Sequence, residues 1–450
     1  MADELDKKGS INAHPTKAFF VDMLVKDIPL EQAVLDLVDN CIDGAKRLAQ
    51  SLPASATPYQ GRKVEITFDK EEFRIVDNCG GFSTDIARNY AFRFGRPKEA
   101  QQTSHSIGQF GVGMKRALFK FGKHFSVLSA TQAEEWAIDV NVPEWESDEE
   151  NWTFPWSEFS SEVISTESPG TEIVVTDLRS EVAFRFSTSL FSNSIIGLIK
   201  SKHRQFIAEG LQVFVNGTRI DATNIYLLMT DKLKPGKDAF EFDLGEAKVS
   251  VSIIVGVGLS SPREAGWYVI CNGRVVLEAD RRNVTGWGVL EEEAGRTMMP
   301  AFHNQFARFR GIVSFDSEDS SKVPWNTTKT DVDLDSVVWI KTFHRMLEMM
   351  RPVIDFLNEL DSDIDEFTRE KSPLLDHVSK AASARPESIT NKSDFIAPAR
   401  GSIEKGPKYV KIQYSRKLED VQFLQDALGA PSAKAVGEAS FDLILKRHKE

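Results

Sequence analysis

The chain has 450 residues, 41% of them apolar and 27% charged, with a formal net charge of -12 at pH 7. That length accommodates two or more domains. The acidic balance excludes a surface built throughout for phosphate backbones, so any nucleic-acid contact must come from a local basic face. Cys41, Cys79 and Cys271 are odd in number, far apart and without histidines at metal-ligand spacing, which speaks for a reducing compartment over a disulfide framework. The polar opening "MADELDKKGS" and the lack of an apolar run near membrane-spanning length lead to the expectation of a cytoplasmic protein with no membrane partner.

Residues 17–50 place Phe19, Phe20, Met23 and Leu24, then Ala33, Val34, Leu37, Val38 and Ile42, at helical spacing, and Pro29 breaks the pattern. Two successive helices are expected. "KVEITFD" and "EFRIVDN" alternate as paired strands do, and the second runs into "CGGFS", where Gly80 and Gly81 permit a tight turn. Residues 89–106, rich in Arg, Gln, Ser and Lys, read as a mobile loop, from which "GQFGVGMKRALFKFG" leads into an apolar helix. "HFSVLSA", "EEWAIDVNV" and "GTEIVVTDL" continue the sheet.

A helical stretch from about residue 184 leads to "LQVFVNGTRI", whose Asn216 and Gly217 signal a hairpin. A second αβ domain is expected here. It contains "KVSVSIIVGVG", "GWYVICNGRVVL" and "GIVSFDS", and closes with the helix "VVWIKTFHRMLEMMRPVIDFLNEL". The Ser, Ala, Pro and Lys rich stretch that follows reads as a flexible linker. The tail reads as a strand, a helix, a Gly-Ala-Pro-Ser break and a second helix. The expected segments are therefore 1–183, 184–361, 362–407 and 408–450, in an α+β protein.

The chemistry concentrates in "DLVDNCIDGA", residues 36–45. Asp36, Asn40 and Asp43 lie four and then three apart, which puts them on one face of a helix. An asparagine four residues after a carboxylate suits a hydrated Mg²⁺. In "VDNCGGF", Asp77 ends a strand where a buried carboxylate can accept a hydrogen bond from an adenine amino group, with Gly80 and Gly81 letting the base approach. Gly108, Gly111 and Gly113 precede Lys115 at a helix start, aiming bare N–H groups at phosphate oxygens. Gly170 and Thr171 add a small turn and a hydroxyl that reaches the same carboxylate through water.

In this order, across residues 15–180, the four motifs resemble those of the gyrase, Hsp90, histidine-kinase and MutL (GHKL) ATPase superfamily with its Bergerat fold. The resemblance implies an ATPase that uses ATP and Mg²⁺. It implies Asn40 as the metal ligand, Asp77 as the adenine anchor, Gly81 as the turn beneath the base, and Thr171 as the adenine-side hydroxyl. Gly108, Gly111, Val112, Gly113 and Lys115 form the implied lid over the phosphates, and Asp43 joins the nucleotide-binding set. Two positions depart from the pattern. Asp36 stands where relatives carry a glutamate as water-activating base, one methylene shorter, which predicts slow hydrolysis. Glu31 cannot replace it, because five residues along a helix turns it about 140° away. Cys79 stands where the family has a glycine, a side chain expected to narrow the base pocket.

The histidine-kinase branch is disfavoured because His14 lacks helical acidic neighbours. The second domain resembles the S5-like transducer of the gyrase, MutL, Hsp90 and MORC branches, MORC-like ATPases above all, on "FVNGTRI" and "VICNGRVVLEAD". "WNTTKTD" resembles the loop that carries a lysine to the γ-phosphate, which implies Lys329 as a catalytic partner of Asp36. Arg281 and Arg282, like Arg93, Arg96 and Lys98, read as solvated charge more readily than as a DNA path. The tail resembles a ribbon-helix-helix unit, with Lys411 and Gln413 opposite Ile412 and Tyr414. The expectation is an ATP-gated dimeric clamp or switch on DNA or a partner protein. Its heads would pair on ATP, and its tail would hold the homodimer. The alternatives are a non-hydrolysing ATP-sensing switch and an Hsp90-like chaperone.

Overall fold

Pro29, extended at φ -59° and ψ 144°, stops helix α1 (Lys17–Lys26) from merging with α2 (Leu30–Gln50), and its carbonyl receives the Ala33 N–H that starts the new helix. Glu31 in the first turn and Arg47 in the last complement the dipole of α2. The computed structural model describes residues 16–26, 28–93, 104–108, 113–291, 296–297, 299–363, 373–399 and 412–449. These fall into two units, 1–400 and 401–450. Among the described residues no single helix is long and apolar enough to cross a membrane.

The first sheet has eight strands: β1 (Lys63–Phe68), β2 (Phe73–Asp77), β3 (Gly122–Ala130), β4 (Glu135–Asn141), β5 (Trp156–Ser157), β6 (Gly170–Leu178), β7 (Gln212–Val215) and β8 (Thr218–Arg219). Their order is β5-β4-β3-β6-β2-β1-β7-β8, antiparallel except where β7 runs parallel to β1. The alternation read in the sequence sets the register: Val64, Ile66, Phe68, Phe73, Ile75, Val127 and Val175 turn into one core. Helices α2 and α3 (Gly113–Phe121) pack on each other over that core. Short helices α4 (Val142–Ser147), α5 (Ser180–Phe186), α6 (Ser189–Lys202) and α7 (Arg204–Ala208) follow. The mixed α+β architecture, rich in antiparallel pairing, is that of a Bergerat-type domain followed by further αβ structure.

The hairpin β7-β8 corrects the expected boundary at residues 183 and 184. It turns at Asn216 and Gly217, at φ 45° and 77°, as expected, but it completes the first sheet. Val213 and Val215 are fully buried beside β1. A parallel partner needs a long crossover, and α5 to α7 supply it, which is why the hairpin looked like a new beginning.

The remaining αβ region begins with β9 (Leu227–Met229). A five-stranded sheet follows, from β10 (Gly236–Asp243), β11 (Lys248–Val257), β12 (Gly266–Cys271), β13 (Arg274–Asp280) and, beyond the short pair β14 (Leu290–Glu291) and β15 (Arg296–Thr297), β16 (Phe309–Asp316). The order is β10-β11-β16-β12-β13. Helix α8 (Val337–Asp363) lies against β11 and β16, seating Met346, Met350, Val353 and Leu357 in the core.

The expected linker at 362–407 is also corrected for the residues described. Helix α9 (Pro373–Ser379) is followed by β17 (Ala382–Ala384), which pairs with β9, and Ser393 and Ile396 exchange backbone hydrogen bonds with Lys237 and Lys234. Backbone pairing at a sheet edge demands little of side chains, so the composition concealed it. In the second unit, α10 (Leu418–Leu428) and α11 (Ala433–Lys449) flank a turn at Gly429, and residues 412–417 have no regular structure. Lys411 lies outside the described residues, as do His14, Arg96, Lys98, Gly111 and Val112.

Candidate functional site

Helix α2 presents its polar residues in an angular order, and each position on its circumference meets a different part of the molecule. Taking Asp36 as zero and about 100° per residue, Lys46 and Asp39 fall on one side, Asp43, Asp36 and Asn40 in the middle, and Gly44 and Cys41 on the other.

On the Cys41 side lies the end of β2. Asp77 is buried; its Oδ1 accepts the Cys79 N–H at 2.7 Å, and Cys41 and the Thr171 backbone also bond to its carboxylate. Burial outweighs these bonds and pushes the Asp77 carboxyl up to about 6. Register places Thr171 opposite Asp77, so β6 brings the two expected adenine-side residues together. Gly81 has φ +62°, and a Cβ there would fall 2.2 Å from the Ala130 carbonyl oxygen, so only glycine fits the turn. Cys79 is buried against α2, with its carbonyl 2.7 Å from where a Cβ on Gly44 would stand. Cys41, Cys79 and Cys271 are all free and buried.

The middle of the face meets the described ends of the glycine-rich segment. Asp43, expected to contact nucleotide, instead uses both carboxylate oxygens on that segment: Ile107 N–H donates to Oδ1 and Gly108 N–H to Oδ2, each at 2.7 Å. It anchors the start of the lid. Gly108 passes over Asn40, whose Oδ1 lies 3.3 Å from the Cβ position of the glycine, and Gly113 passes over Asp36 at 3.1 Å. Asn40 is exposed, and Asp36 is buried with Gln32 Nε2 donating to its Oδ1 at 2.9 Å. Lys115 departs from the expectation of a phosphate-facing cation. Its ammonium is buried and donates to the carbonyls of Ala91 and Arg93, and desolvation draws it down to about 7. Glu31 pairs with Arg185, away from the site.

The third side meets the second sheet. Lys46 Nζ donates to the His105 carbonyl at 2.7 Å and to the Asn272 carbonyl at 2.8 Å, tying α2 to the base of the lid and to the β12-β13 turn. Lys329, expected near a terminal phosphate, does reach α2: its Nζ lies 2.8 Å from Asp39 Oδ2 and 3.6 Å from Asp36 Oδ1. Arg274 Nε is 2.9 Å from Asp39 Oδ1, and His203 Nε2 shares that oxygen at 2.8 Å. Burial raises the Asp39 carboxyl, but Arg274, Lys329 and His203 overcome it and hold the group well below the ordinary carboxylate range. Burial also lowers His203 from its usual value. Arg282 is exposed, as expected, and also forks onto both oxygens of Asp331, at 2.7 and 3.2 Å, which pins the 325–331 loop from outside. Arg281 stacks over Phe302.

Sequence reasoning missed Asp39, Arg274 and His203. The available signal was Asp39 itself, a carboxylate among Leu35, Val38 and Ile42 that must find a cation if buried. Its partners lie on α6-α7 and β13, too distant in the chain for any spacing rule.

An α/β sandwich with a carboxylate at a strand end, an Asp/Asn helix above it and a glycine-rich crossing defines a nucleotide-binding module. Residues 28–171 match the family described as histidine kinase-, DNA gyrase B-, and HSP90-like ATPase, which supports the GHKL character of this domain. No curated protein matches the chain.

Proposed function

We propose that the chain is a Mg-ATP-dependent switch whose N-terminal domain reports nucleotide to an S5-like transducer. A dimer would act on DNA or a partner protein in the cytoplasm, in a MORC-like manner. The observation that carries this reading is the reach of Lys329 from the second sheet to the helix that bears Asp36 and Asn40.

The residues fit an adenine nucleotide laid along α2. Asp77 accepts from the adenine amino group while Gly81 leaves room beneath the ring. Asp43 takes the Ile107 and Gly108 N–H groups and so fixes the start of the glycine-rich segment, while Gly113, at the start of α3, passes over Asp36 where the dipole of that helix favours a phosphate. Asn40 supplies the one exposed oxygen on that stripe for a metal, with phosphate and water completing a hard-cation shell. Magnesium, when bound, supplies neutralisation of phosphate charge. Asp36 takes the proton of the attacking water at its carboxylate. Lys329 counters the charge that develops on the terminal phosphate, which makes the approach of the two domains sensitive to its presence. Exposed Ile412, Leu418, Phe423, Phe441 and Ile444 on the tail unit support its role in pairing two chains.

One observation favours a second reading, an ATP-sensing switch without turnover: Gln32 and Lys329 both engage Asp36 Oδ1, leaving the shortened base less free to take a proton. Single-turnover hydrolysis by the purified protein decides between the two. The first reading expects product formation that Asp36→Glu accelerates and Asn40→Ala removes. The second expects binding by calorimetry with no product in any of the three proteins. If no heat accompanies addition of Mg-ATP, both fail.

A further inference from the structure

Building on the reading that the site takes a nucleoside triphosphate, we propose that Asp39 is a positioning residue. It holds Lys329 at rest beside Asp36, and the terminal phosphate must draw the lysine away from it.

The carboxylate of Asp39 has two ends with different partners. Oδ1 faces Arg274 Nε at 2.9 Å and His203 Nε2 at 2.8 Å, and all three side chains are fully buried. Oδ2 faces only the Lys329 ammonium among these groups, at 2.8 Å. Arg274 closes the ring by donating from Nη1 to the Lys329 carbonyl at 2.9 Å. The Lys329 backbone is at φ +55°, a left-handed conformation that is strained for a residue other than glycine. That conformation is held by this bond and by the Lys329 N–H donating to Asn326 at 3.0 Å. A strained backbone, one cation at each carboxylate end and a second carboxylate 3.6 Å away together define a place where an ammonium waits.

The two ends have different fates when an anion arrives. Arg274 begins the edge strand β13, where its backbone pairs with Cys271 across a two-residue turn and its side chain is fully buried, so it is held by the hairpin. Lys329 sits on the 325–331 loop at the seam, and its long stem lets the ammonium cross from Asp39 to a phosphate placed over Asp36. Oδ1 therefore keeps the two domains joined while Oδ2 releases its cation. A diphosphate offers nothing in that position, so only the triphosphate bears the cost of breaking the Lys329–Asp39 contact. Asp39 thus lowers the preference for ATP over ADP, and it does so through Lys329.

The test is the ratio of dissociation constants for Mg-ADP and a non-hydrolysable Mg-ATP analogue, measured by calorimetry on the full chain. Asp39→Asn is expected to raise the preference for the triphosphate about tenfold, the effect of one charge-assisted hydrogen bond. Because that variant strands Arg274 in a dry seam, Asp39→Asn with Arg274→Gln is measured beside it and is expected to show the same rise. In a Lys329→Met background, Asp39→Asn is expected to leave the ratio within about twofold, since the lysine carries the coupling. A purely structural Asp39 would weaken both nucleotides equally. The proposal is overturned if the ratio stays unchanged in the single and paired variants, or if the rise persists without Lys329, which would mean direct repulsion between Asp39 and phosphate. Failure of the wild type to bind either nucleotide overturns the ATP reading itself.

Discussion

Two buried aspartates, Asp77 at the base end of α2 and Asp39 at the seam, occupy equally dry surroundings and are pushed in opposite directions. Among the described residues Asp77 has backbone N–H groups, a thiol and the charge of Arg47 acting on it but no ion-paired cation, so desolvation wins and the proton is held up to about 6. Asp39 has Arg274 and Lys329 in contact, so charge wins and the proton is given up far below the ordinary range. Burial alone does not determine what a carboxylate does. The first arrangement preserves an acceptor for a ligand that has yet to arrive, and the second consumes the acceptor in holding domains together.

The comparison is broken most forcefully at the seam. Arg274→Ala removes a fully buried cation from a carboxylate, and breaking such a pair costs about 3–5 kcal/mol. Urea denaturation is expected to show a lower midpoint and the region around β12 and β13 unfolding first. Asp77→Asn gives the opposite pattern. No ion pair is broken and a desolvated carboxylate is removed, so the midpoint is expected to hold or rise. Nucleotide affinity, measured by calorimetry, falls about tenfold to a hundredfold as the amide presents one acceptor in place of two oxygens.

Acid sharpens the contrast without mutation. Asp77 has a folded-state value raised to about 6, so it is protonated in the free protein below that pH and its acceptor weakens. Nucleotide affinity is expected to decline as pH falls through 6, with a limiting slope of about tenfold per pH unit. The stability signs differ among the three groups. The raised Asp77 contributes stability at low pH that is lost as pH rises from about 4 to 6. The lowered Asp39 contributes stability present above about 4 and lost only in stronger acid. The lowered His203 makes the fold lose stability as pH falls below about 6.5, because the unfolded chain takes up a proton that the buried ring refuses. An affinity profile flat between pH 5 and 7 would remove Asp77 from the binding site.

The base end was largely legible in the sequence because its parts are local. Strand alternation placed Asp77 at the end of β2, two glycines marked the turn, and helical spacing aligned Asp36, Asn40 and Asp43. The sheet order brought in Thr171. The seam was legible only at Lys329, through a motif, because its other members, Asp39, His203 and Arg274, come from three separate places, α2, the α6-α7 junction and β13, and each is unremarkable in its own segment. The hydrogen bonds of Lys115 and Asp43 were not legible: the direction of a buried polar side chain depends on which backbone carbonyls and N–H groups pack nearby, and spacing does not encode that. The sheet to which β7 belongs and the strand β17 escaped for a related reason, since their partners are distant and the bonds that place them are backbone bonds.

The smallest expected effect tests whether the seam acts through the loop or only through the buried ring. Arg282 is more than half exposed and holds Asp331 from outside, while Asp39 and Arg274 hold Lys329 from inside. An exposed ion pair is worth about 0–1 kcal/mol, so Arg282→Gln should shift the urea midpoint little. The loop it releases carries the strained Lys329 backbone, and that strain remains supported by Arg274 Nη1 and Asn326. Hydrogen exchange is therefore expected to accelerate at Thr330 and Asp331 while the Lys329 amide stays protected. If protection at Lys329 is lost together with theirs, the outer clamp and the inner ring form one cooperative unit, and the division of labour between Arg282 and Arg274 does not hold.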